Sequence, residues 1–182
     1  MKRLGILLLA LSPLLPASDS SRLYELYQNG RYVQACNEGV KKLRKHQKDE
    51  KYVSLYAFAC LQADKIDRLA VPIIMLKQSK DARRNAAYFS AILLQKNLLL
   101  SALENDQSLA SLKLPSSDYV LSKVFDLYSG SHYVKANGVY ILKDPENPRQ
   151  TYRLSLQRSG KTSQLRIDEF YDTILTKQHL YR

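Results

Sequence analysis

The sequence predicts an α+β protein: about three stacked antiparallel helical hairpins, followed by one more helix and a small antiparallel β-meander. Three observations carry this. Apolar residues recur at helical i, i+3, i+4 spacing as far as about residue 110. Beyond about residue 130 they alternate instead, as in "TYRLSLQ", with Tyr152, Leu154 and Leu156 on one face and Thr151, Arg153, Ser155 and Gln157 on the other. Turn formers such as Asn29-Gly30, Pro115-Ser116-Ser117-Asp118 and Ser129-Gly130 separate the segments. With 182 residues, 45% hydrophobic and 25% charged, the chain is long enough to bury its own core.

The chain divides at 1–17, 18–114 and 115–182. Lys2 and Arg3 precede the apolar run Leu4 to Leu15, which is too short to span a bilayer as a helix. Pro13, Pro16 and then Ala17 and Ser18 complete the pattern of a secretory signal cleaved after Ala17. A periplasmic or secreted protein is expected, with no transmembrane segment once the signal is removed. No cysteine follows the apolar run, so the leader is not of the bacterial lipoprotein type.

In the helical region, Leu23, Leu26 and Tyr27 share a helix face that Asn29-Gly30 ends. A second helix is expected from Tyr32 to Lys45, with Val33, Cys36, Val40 and Leu43 inward. Asp49 caps a third, which presents Val53, Tyr56, Ala57, Cys60 and Leu61. The fourth spans Ile66 to Gln78, where Pro72 marks a kink or a later start. Asp81 to Leu94 and Leu98 to Leu109 read as a fifth and sixth.

Shifting by 34 residues pairs Leu26 with Cys60 and Leu94, Gly30 with Asp64, Tyr32 with Ile66 and Leu100, and Ala35 with Leu69 and Leu103. With its Gly30, Tyr32 and Ala35, "YQNGRYVQA" resembles the turn of the tetratricopeptide-repeat family over about residues 21–110, most specifically in the first unit. The resemblance implies a helical scaffold that binds another protein.

Pro115 to Asp118 is expected to cap a helix from Tyr119 to Tyr128. Strands follow at Tyr133–Ala136 and Val139–Leu142 around the turn Asn137-Gly138, then "TYRLSLQ", then a strand containing Leu165 and Ile167. From Asp168, the spacing of Phe170, Ile174 and Leu175 returns to that of a helix, with an extended tail as the alternative.

Little in the sequence points to catalysis. Cys36 and Cys60 lie symmetrically about residue 48, so an antiparallel hairpin turning there sets them opposite each other; a disulfide or two buried thiols fit. "SGKTS" lacks the first glycine of a phosphate loop, since Ser155 stands there, and reads as a hairpin turn. His46, His132 and His179 stand singly and read as surface residues without metal-ligand spacing. Glu104 and Asp106 find no partner acid, and no Gly-x-Ser-x-Gly elbow occurs. Neither cofactor nor metal is expected.

The expected function is that of an adaptor for a protein or peptide partner, with Tyr24, Tyr27, Tyr52, Tyr56 and Tyr88 as aromatic contacts and Lys51, Arg83 and Arg84 steering charge. The net charge of +11, or +9 without Lys2 and Arg3, leaves an alternative open: a basic envelope protein that binds anionic lipid or cell-wall polymer. "KKLRKHQK" at Lys41 to Lys48 is the densest basic stretch and suits a helix C-terminus. Export disfavours nucleic acid as the partner.

Overall fold

The computed structural model describes residues 18–182 apart from 111 and 161; the signal-like segment lies outside the described residues. The described residues form an α+β structure of six α-helices and a five-stranded antiparallel sheet.

α1 (Asp19–Gln28) begins at Ser18, whose hydroxyl accepts from the amide of Ser21. It ends at Gly30, whose φ of 69° lets the amide of Arg31 reach back to the carbonyl of Leu26. α2 (Tyr32–Lys42) stops three residues before the expected Lys45 and gives way to turns. Asp49 caps α3 (Glu50–Gln62), accepting from the amides of Lys51 and Tyr52. Small residues let α2 and α3 approach closely: Ala35, Cys36, Ala57 and Cys60 are fully buried. A Cβ at Gly39 would stand 2.5 Å from the Tyr56 ring. Cys36 and Cys60 form a disulfide, with Cα atoms 4.7 Å apart.

Asp64 ends α3 as Gly30 ends α1. Its φ is 58°, and the amide of Lys65 bonds the carbonyl of Cys60. A 3-10 turn (Ile66–Leu69) then leads into α4 (Ala70–Met75), so Pro72 sits in the first turn of a short helix, where its missing N–H costs little. Tyr32 and Ile66 therefore each open a helical segment after a left-handed residue.

Leu100 does not share that setting, because it lies inside α5 (Lys80–Asn105). The two helices expected at Asp81–Leu94 and Leu98–Leu109 are this single helix. Nothing from Gln95 to Asn97 is a glycine or proline, and these residues continue a helix readily; the period alone suggested a break. By length and composition α5 could cross a membrane. It packs instead against α3, α4, the 3-10 turn and two strands of the sheet.

α6 (Val120–Ser129) starts one residue late, and its cap is Tyr119, without a side-chain bond. Ser117 meets the helix start from two residues before the cap, its hydroxyl accepting from the amide of Tyr119 and pairing with Ser122, whereas Asp118 accepts from the Tyr88 hydroxyl.

The sheet is a meander in the order β1 (Tyr133–Ala136), β2 (Val139–Lys143), β3 (Gln150–Ser159), β4 (Thr162–Tyr171), β5 (Ile174–Tyr181). The helix expected from Asp168 is absent; those residues finish β4 and form β5, joined through Asp172 at φ 56°. A bulge between Glu169 and Phe170 resets the pairing there and helps to explain the misleading apolar spacing. Tyr140, Leu142, Tyr152, Leu154, Leu165 and Ile167 are buried between the sheet and the helices. On the opposite face the Arg153 guanidinium lies over the Phe170 ring, and Arg166 pairs with Asp168.

Candidate functional site

The sequence-derived contact residues do not assemble into one surface. Tyr52 and Tyr56 are core residues of α3. The Tyr52 hydroxyl donates to the carbonyl of Gly39, its ring stacks on His46, and burial, followed by the charge of Asp19, raises its pKa to about 12. Tyr27 and Tyr88 are half-buried, and only Tyr24, 56% exposed, presents a free ring. Arg83 donates to the backbone carbonyl of Gln78, Arg84 pairs with Asp81, and Lys51 is exposed at the start of α3. Aromatic spacing along a helix marks packing as readily as binding, and here packing took two of the five tyrosines.

The fold instead gathers polar groups where the turn after α3 meets the end of the sheet. β5 brings His179 there, across from Ile167 on the helix-facing side. His179 is 1% exposed, not a surface residue as expected from the sequence. Its Nδ1 lies 2.9 and 3.0 Å from the two carboxylate oxygens of Asp64, and its Nε2 lies 2.8 Å from Glu169 on β4. The Asp64 carboxylate is also 2.8 Å from the Tyr119 hydroxyl, which accepts from Tyr181 at 3.3 Å.

Burial alone would lower the pKa of His179, but the hydrogen bonds to Asp64 and Glu169 outweigh it and leave the pKa above its ordinary 6.5. Both ring nitrogens face carboxylates, an arrangement that favours the protonated ring; in that form both nitrogens donate and no lone pair is left for a substrate proton. The two acids lie on opposite edges of the ring, so they cannot share one metal ion. Among the described residues no group of three His, Cys, Asp or Glu side chains is placed to hold a metal. The constellation fastens β5 to the helices.

Depressions flank this tie. One of about 500 Å³ is lined by Tyr119, Lys123, Asp144, Glu169, Lys177 and His179. Its basic and acidic groups largely neutralise each other, because Lys123 sits 3.0 Å from both Asp144 and Glu146. The other, about 490 Å³, lies beyond the 3-10 turn and is bordered by Lys65, Arg68, Gln164 and Arg182.

The sheet edges differ. β1 has four residues, and its Lys135 is engaged by Asp106. β5 has eight, pairs among the described residues only with β4, and exposes all its residues from Ile174 to Gln178, with Ile174 69% and Leu175 45% exposed. The sequence partly hid this edge, since those residues read first as a helix, with an extended tail as the alternative.

No protein-family model, curated protein or solved structure matches the chain. The class that fold and site define is an α+β protein whose helical half, closed by a disulfide, carries a five-stranded meander with one long exposed edge.

Proposed function

We propose that this protein is an exported, tetratricopeptide-like scaffold that binds an extended, acidic segment of a partner protein by adding it as a sixth strand along β5. The observation that carries this reading is the β5 edge, which no described strand pairs with, and its exposed Ile174 and Leu175. An exposed edge offers unpaired backbone donors and acceptors at regular spacing, and a partner strand satisfies them while adjacent apolar side chains give selectivity. The occupant is acidic by charge complementarity: Lys177 lies on the strand, Arg182 follows it, and the chain without Lys2 and Arg3 carries +9. The shared left-handed turns at Gly30 and Asp64 support the repeat reading of the first two helical units, and the disulfide suits an oxidising compartment.

The test is capture from envelope extract on the full chain, with a photo-crosslinker at position 175 and amide exchange over 174–178. A partner that crosslinks there through an acidic stretch, slows exchange along β5 and is lost with Ile174→Lys/Leu175→Lys supports the reading. Retention that survives this double substitution while Arg83→Glu/Arg84→Glu abolishes it would move the interface to the helices and overturn the strand-addition reading.

A further inference from the structure

The cleft beyond the 3-10 turn brings together basic groups that are braced by neutral rather than acidic partners. Lys65 and Arg68 both donate to one acceptor, the Oδ1 of Asn37, at 2.9 and 3.0 Å. Arg68 also rests 3.3 Å from the sulfur of Cys36. Asn37 follows Cys36 on α2, and the disulfide fixes that stretch against α3, so the two cations are held by a covalently braced support. Arg182 arrives from the end of β5. The buried ammonium of Lys96 bonds both Asp67 and the backbone oxygen of Arg182, which pins the strand end beside the turn.

The nearby carboxylates are turned to other tasks: Asp64 to His179 and Tyr119, Asp67 to Lys96. Among the described residues no Asp or Glu carboxylate oxygen lies within 4.0 Å of the side-chain nitrogens of Lys65, Arg68 or Arg182. Burial and then the charges of Arg68 and Arg182 hold the Lys65 pKa below its usual range. Lys65 and Arg68 share a single neutral acceptor and Arg182 stands close enough for its charge to act on Lys65, so the three positive groups repel one another and an anion placed among them relieves that repulsion.

We propose that this cleft binds the phosphate group of a phosphate-bearing ligand, with Lys65, Arg68 and Arg182 as its cationic contacts. Phosphate matches the donor set: guanidinium forks bond paired oxygens, while an ammonium supplies a point charge. At about 490 Å³ the cleft has room for more than the bare ion, and the half-exposed Leu180 at its rim offers apolar contact for whatever carries the phosphate. The proposal does not depend on strand addition at β5, and its probes contain no peptide.

The experiment has two arms at fixed ionic strength: inorganic phosphate, followed by ³¹P line broadening, and flotation with phosphatidylglycerol vesicles against phosphatidylcholine vesicles. Binding in either arm supports the site; the first identifies a soluble phosphate and the second a lipid head group. Arg68→Gln/Arg182→Gln is expected to weaken binding about tenfold or more, whereas Arg83→Gln/Arg84→Gln, with the same loss of charge, changes it less than about twofold. Arg182→Gln alone, which removes no side-chain bond to any described residue, is expected to lose several-fold and guards against a folding artefact. No binding in either arm, or equal losses in the two double variants, overturns the proposal.

Discussion

The α2–α3 pair and the junction between helices and sheet are each closed by a side-chain tie, of opposite kinds. In the first, Cys36 and Cys60, 24 residues apart, are joined by a bond that no titration touches. In the second, Asp64 and His179, 115 residues apart, are joined by hydrogen-bonded charges whose strength depends on protonation. The local tie constrains the unfolded chain, whereas the distant one acts only once the sheet has docked. The contrast implies that the helical half resists acid and base but yields to reductant, and that β5 behaves the other way.

Cutting the covalent tie has the largest expected effect. Cys36→Ala/Cys60→Ala should cost about 3–4 kcal/mol, the loop-entropy value for a closure of this size, measured by urea unfolding with and without reductant. Reductant should no longer shift the midpoint of the variant. The ionic tie comes next. Asp64→Asn keeps a residue that tolerates the left-handed turn but removes the negative charge opposite a buried imidazolium, for an expected loss of about 2–3 kcal/mol at pH 6. Hydrogen exchange should localise this loss to β5. Uniform loss over α2 and α3 would break the contrast.

A third change sharpens the comparison inside the helical half. Gly39→Ala inserts a methyl where the Tyr56 ring already stands, and Tyr56 is fully buried, so it has little room to swing away. The expected cost is about 1–2 kcal/mol by thermal denaturation, with the disulfide still formed by mass spectrometry. A neutral result would mean that α2 and α3 are less tightly apposed than their geometry implies.

The two ties also differ in how far they could be read from the chain. The cysteine pair was legible because a helical hairpin converts sequence symmetry about residue 48 directly into opposition. Asp64 was visible as the counterpart of Gly30 in the 34-residue shift; nothing local announces that its carboxylate meets an imidazole from the far end of the chain. His179 stands alone in sequence, and singly placed histidines carry no spacing signal. β5 was misread because Phe170, Ile174 and Leu175 imitate helical spacing across a bulge and a glycine-free turn, where Asp172 supplies the left-handed residue and Arg149 clasps its carboxylate. The alternation in β3 was clear because it has one buried and one wet face. Tyr52 and Tyr56 show the limit from the other side: their type suited binding, but only the packing of α2 on α3 decides that they are enclosed.

The smallest expected effect is also the one specific to the ionic tie. His179 faces Asp64 and Glu169, with Lys177 beside it on β5 and the hydroxyls of Tyr119 and Tyr181 behind, and the net result is a pKa raised in the folded state. A raised value means that the folded protein holds this proton more tightly than the unfolded chain does. The resulting stability is fully present below the unfolded value of 6.5 and is lost as pH rises through the higher folded value. Melting temperature should therefore decline by a few degrees from weakly acidic into mildly alkaline solution, about 1 kcal/mol being enough for such a shift. His179→Gln should flatten that decline while leaving the response to reductant unchanged. If the variant retains the full slope, the titrating group lies elsewhere and the junction is not held by a protonated imidazole.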